Sequence, residues 1–193
     1  VAANLEFTHN EFCTINDADF LRNKNSALVK VEHALGQLYD EMLFFEVNSK
    51  LPNTGKISRG ENYLGLPYRV LDYPRLFDKN NICAVRTMFY WANFFSCTLI
   101  AGGQYLIKDI DTINQIAEQL CLPLYFCIHT NAWHHHFNSD NYILWSETTS
   151  AFFDKQIQNG FIKIAVKAPL SNFEIVAADA VKLSLSASKL MSQ

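Results

Sequence analysis

Four histidines gather in one short segment, His129 and then His134, His135 and His136, with Asp140 and Glu147 downstream. Imidazole and carboxylate together are the usual ligands of Zn, Fe or Mn. A His-x-His pair on a strand puts both rings on one face, roughly 6.5 Å apart along the backbone. If the chain folds back at residues 130–132 and again at 138–141, His134 and His136 share a face with Phe126, Ile128, Ile143 and Trp145. His129 and His135 then share the opposite face with Cys127 and Leu144, and a one-residue slip reverses the pairing. The metal reading takes His129, His134 and His136 as ligands, with Asp140 or Glu147 completing the shell. A bound water would be the nucleophile of a hydrolase, or the metal would serve an oxygenase. No H-E-x-x-H helix supports it. The plainer alternative is a set of strand or turn histidines hydrogen-bonded to backbone or water.

A second constellation lies in residues 61–75 and the strand-like segment 82–90. Arg86 interrupts an apolar run, and a guanidinium there requires a carboxylate or a ligand anion. Asp72 is a candidate, and so is Glu61. On a ligand-binding reading, Arg69, Arg75 and Arg86 grip a small anionic molecule in a pocket walled by Tyr68 and Tyr73, with Asp72 beside them. Tyr63, Tyr90 and Trp91 extend that wall. On a structural reading, Asp72 and Arg86 form an internal ion pair that fixes strand pairing.

The aromatic stretch 88–95 reads either as core beneath a helix or as a docking surface of a homo-oligomeric interaction module. Nucleotide-phosphate loops of the G-x-G-x-x-G and G-x-x-x-x-G-K-[ST] types are absent, as is a G-x-S-x-G elbow. Cys127 and His129 are compatible with one strand face, which alone does not make a nucleophile. Leu51-Pro52-Asn53-Thr54-Gly55 matches the sortase-type L-P-x-T-G pattern, yet lacks the apolar span and basic tail that pattern needs, so it is read as chance.

The elements that must position these residues are legible from periodicity. Leu28, Val31, Leu35, Leu38, Met42 and Phe45 step by threes and fours, predicting a helix over 26–45 that is capped at Ser26 and ends near Lys50. Asn16 or Asp17 caps a shorter preceding turn around Phe20. Residues 51–62 are polar and turn-rich and read as a loop. Strands are expected at 68–73, 82–90, 94–101, 124–129, 133–137, 142–145 and 161–167. Helices are expected at 109–119, 149–159 and from 172 onward, the last against a competing strand-like alternation at 181–188. The connections are too short for parallel crossovers, so the sheet is expected to be antiparallel. The resulting class is α+β, a single domain over 1–193 with a long N-terminal helix and a C-terminal helix covering a twisted sheet.

Composition agrees with a packed domain. The 193 residues are 49% hydrophobic and only 18% charged, which excludes a disordered or polyelectrolyte chain. A net charge of -3 without a basic stripe argues against nucleic acid. The longest apolar stretch, 88–103, is interrupted by Asn93, Ser96 and Thr98 and is too short for a membrane span. Five cysteines without a C-x-x-C pair read as reduced thiols and hence a cytoplasmic location, with a removed signal peptide left open by the Val1 start. Three functional readings follow: a small-anion binder, a metal-dependent enzyme, and a homo-oligomeric interaction module.

Overall fold

The computed structural model describes residues 5–45 and 55–192. Among these, five α-helices accompany seven strands in one sheet of order β1-β2-β3-β4-β7-β5-β6. Every ladder is antiparallel. The strands are β1 (Lys56–Tyr63), β2 (Leu66–Phe77), β3 (Ile82–Tyr90), β4 (Phe94–Gly102), β5 (Tyr125–Cys127), β6 (Tyr142–Leu144) and β7 (Phe161–Ala168). The helices are α1 (His9–Asn16), α2 (Ala18–Phe45), α3 (Ile110–Gln119), α4 (Ser150–Gln158) and α5 (Phe173–Met191). The expected α+β class, with its long N-terminal and C-terminal helices over an antiparallel sheet, is the observed one.

Strand alternation divides the sheet into two faces. Leu71, Tyr73, Val85, Phe89, Cys97, Leu99, Ile162, Ile164 and Val166 point to one side, where they meet Leu28, Leu35, Leu38 and Met42 of α2 and Val176, Ala180, Leu183 and Ala187 of α5. This is the main core. Buried thiols in it behave as small hydrophobes, and burial pushes Cys83 and Cys97 up to about 12. On the other face lie Asp72, Arg86, Met88, Tyr90, Thr98 and Lys163. Among the described residues the connection 128–141 covers them, as His135 and His134 contact Arg86 and Lys163.

Several boundaries depart from expectation. α2 begins not at Ser26 but at Ala18, because the Asp17 carboxylate accepts the Phe20 amide at 2.8 Å and caps the helix there. α1, closed by a Thr8–Glu11 capping box, precedes it. The expected end near Lys50 and the match at 51–54 fall outside the described residues. Residues 56–62, expected as loop, form most of β1, an edge strand whose pattern is mostly exposed and carries little apolar alternation. Residues 133–137, expected as a strand, are irregular, since β5 pairs directly with β6 and the histidine segment spans the connection between them. The C-terminal segment resolves as helix.

Candidate functional site

The sheet face opposite α2 and α5 holds a buried polar cluster. Asp72 and Arg86 are register partners on β2 and β3, and Arg86 donates Nε and Nη2 to the two Asp72 oxygens at 2.7 and 3.0 Å. Its Nη1 lies 2.9 Å from His135 Nε2. Arginine has no acceptor, so His135 must accept through Nε2 and carry its proton on Nδ1. Burial first, then the charges of Lys163 and Arg86, hold His135 well below the ordinary histidine range and keep it neutral.

Lys163 on β7 is fully buried. Its ammonium donates to the His134 carbonyl and sits 4.8 Å from the Tyr142 ring centroid. Burial lowers its pKa to about 8, with Arg86 adding repulsion and Cys127 opposing. Asn141, also fully buried, donates to the His134 and His136 carbonyls, and the Tyr63 hydroxyl accepts the His135 and His136 amides at 2.7 and 3.1 Å. Gln156 holds the His129 carbonyl at 3.0 Å. These side chains replace the ladder partners that an irregular segment lacks, which is how residues 128–141 can lie on a sheet with their backbone satisfied.

The imidazoles divide differently from a simple strand. His129, His134 and His136 lie ring against ring, with centroids 4.3 and 5.5 Å apart between successive rings and planes tilted by 37° and 42°, while His135 alone turns inward to Arg86. The three sequence candidates are thus together, as neighbouring tilted rings. His129 Nδ1 accepts the Asn131 amide, and the buried Nδ1 atoms of His134 and His136 have no hydrogen-bond partner. Among the described residues no group of three or more His, Cys, Asp or Glu side chains is arranged to hold a metal ion. Glu147 lies in a short 3-10 turn after β6, and Asp140 reaches His136 only at 3.8 Å.

The arginine and tyrosine candidates do not form one pocket. Arg69 points to the helix side, where Nε meets Glu32 of α2 at 2.6 Å and Nη1 meets Glu61 at 3.2 Å. Tyr73 is buried on that same side, edge-on to Tyr39. Arg86, Asp72 and Tyr68 lie on the opposite side, Tyr68 edge-on to Tyr63. Arg75, displaced by the bulge between Asp72 and Arg75, places its guanidinium 5.4 Å from the Phe77 ring centroid. It forms no ion pair among the described residues. Tyr63, expected only as a pocket wall, instead holds the His135 and His136 amides, and Lys163 carries no signal in the sequence that marks it as a site residue. Phe161–Ala168 alternates like a half-solvated strand, and nothing local reveals that a distant segment seals its polar face.

The aromatic stretch 88–95 is mostly core: Met88, Phe89, Tyr90 and Phe95 are buried. Exposed apolar surface concentrates at the N-terminus instead. No residue of α1 is buried, and Phe12, Ile15, Phe20 and Leu21 are 60%, 60%, 47% and 53% exposed. Leu21 continues the seven-residue spacing of Leu28, Leu35 and Met42, so the stripe that α2 buries on the sheet runs on past it without a cover.

No family model, curated protein or solved structure matches this chain. No helix among the described residues is long and apolar enough to cross a membrane.

Proposed function

We propose that this chain is a self-associating interaction module whose N-terminal helices dock on a second copy. The observation that carries this reading is the exposure of four large apolar side chains, Phe12 and Ile15 of α1 and Phe20 and Leu21 of α2. Covering such half-exposed side chains contributes roughly 1 kcal/mol each, and a two-fold axis covers every one of them twice. Charge complementarity selects a second copy over other occupants. Asp19 and Arg22 flank the pair Phe20–Leu21, are both well exposed, and pair with each other at 2.8 Å within one chain, a contact that two copies would exchange for cross-copy pairs. Two antiparallel copies related by an axis between Phe20 and Leu21 bring each Asp19 opposite the other copy's Arg22. Asp72 already neutralises Arg86 in the buried polar cluster, and on the helix side Glu32 and Glu61 neutralise Arg69, so neither arginine is left to grip an anion.

Sedimentation equilibrium tests the proposal. The wild-type chain should associate reversibly to a dimer, and Phe20→Glu with Leu21→Glu should leave a monomer of unchanged far-UV spectrum. A wild type that stays monomeric at its highest attainable concentration contradicts it, as does a double variant that associates like the wild type.

One observation favours a second reading, small-anion binding at Arg75. This guanidinium has no carboxylate partner among the described residues, and beyond Phe77 a cleft is lined by Asp78, Lys79, Asn80, Asn81 and the half-exposed Trp133, though not by Arg75 itself. Calorimetric titration with inorganic phosphate should give a saturable signal that Arg75→Ala removes; the absence of heat in the wild type ends this reading.

A further inference from the structure

Away from both regions, the turn after α3 meets α5 through three chemically active side chains. Asp179 of α5 is fully buried, and its carboxylate accepts the amides of Cys121 at 2.8 and 3.1 Å and of Leu122 at 2.9 Å. The same carboxylate holds the Lys182 ammonium at 3.0 Å. Lys182 in turn donates to Cys121 Sγ at 2.9 Å. Cys121 is exposed, unlike Cys83, Cys97 and Cys127. A groove lined by Gln115, Gln119, Ser186 and Lys189 runs along the same α3–α5 seam.

We propose that Cys121 and Lys182 form an oxidation-triggered covalent link, a sulfenamide that ties the turn after α3 to α5. The oxidant is a hydroperoxide, hydrogen peroxide being the simplest. In the first step the Cys121 sulfur attacks the peroxide O–O bond; sulfur is oxidised to a sulfenic acid, the peroxide is reduced, and one water leaves. In the second step the Lys182 amine lone pair attacks the sulfenic sulfur, an S–N bond forms, the S–O bond breaks, and the hydroxyl leaves as a second water. The overall change is thiol plus amine plus hydrogen peroxide giving sulfenamide plus two waters.

The surroundings supply what each step requires. Thiol oxidation needs access and an electropositive neighbour, and Cys121 has both. The amine must lose a proton before it attacks, and Asp179 Oδ1 is already in hydrogen-bond contact with that nitrogen to take it. Lys182 is held above the ordinary lysine range first by its bond to the Cys121 sulfur and then by Asp179. Oxidation of the sulfur removes the first of these influences. Nitrogen and sulfur start in contact, fixed by a carboxylate that itself cannot move, so ring closure costs little ordering entropy.

Peptide mapping of the wild-type chain after equimolar hydrogen peroxide tests this. The expected product has lost one H2 in mass, resists tryptic cleavage after Lys182, carries a Cys121–Lys182 cross-linked peptide, and returns to the starting species with a thiol reductant. Lys182→Arg, which keeps the positive charge, should instead accumulate a Cys121 sulfenic acid that dimedone captures. If wild-type Cys121 proceeds to sulfenic or sulfinic acid while trypsin still cleaves after Lys182, the link does not form and the proposal is overturned.

Discussion

Arg86 is held in a largely apolar strand because Asp72 lies opposite it in register and His135 accepts its remaining edge. Removing one member leaves the other charged and buried, so Arg86→Met should destabilise the fold by about 3–5 kcal/mol in urea unfolding, and Asp72→Leu added to it should restore much of the loss. Lys163 makes a different prediction. Its folded pKa, about 8, lies below its unfolded value, so the unfolded chain binds more protons between pH 8 and 10.5. Stability should therefore rise with pH through that window, by about 3 kcal/mol at most, and level off below it. Lys163→Met should abolish that portion of the pH slope; a variant with the wild-type slope would show that Lys163 titrates normally. The requirement that Arg86 find an anion was legible in the sequence, and so was Asp72 as its partner. The role of Lys163 was not, because its depressed basicity comes from a segment distant in sequence.

Helices α3, α4 and α5 and strands β3, β4 and β7 fall close to their expected places: Asp109 caps α3, α5 buries apolar residues at helical spacing, and the three strands are short apolar runs buried almost throughout. β1 and the segment 128–141 do not. β1 is an edge strand whose polar residues give no alternation, and 128–141 takes its shape from Tyr63, Asn141, Gln156 and Lys163, all on other elements or at its end. Asp17, expected to cap only a short turn around Phe20, caps the whole of α2, and Ser26 lies inside that helix. This element also behaves as two parts. From Leu28 onward it packs on the sheet, and before that no side chain is buried. Leu35→Ala should cost about 2–5 kcal/mol as a core cavity, while Leu21→Ala should change the stability of the dilute protein by less than about 0.5 kcal/mol. Chemical denaturation of both variants checks this, and a large loss from Leu21→Ala would place that residue in the monomer's own core.

For the molecule as a whole, Asp72 and Arg86 pair on the buried polar face, whereas α1 and the first turns of α2 leave Phe12, Ile15, Phe20 and Leu21 exposed, and the proposed association of two copies runs through those side chains. The most direct test uses charge reversal. Asp19→Arg alone sets arginine against Arg22 twice across the two-fold, and Arg22→Asp alone sets aspartate against Asp19 twice. Each variant should sediment as a monomer, and an equimolar mixture should recover a heterodimer, because every facing pair is again opposite in sign. Variants that both dimerise alone, or a mixture that remains monomeric while the wild type dimerises, would contradict the antiparallel docking proposed.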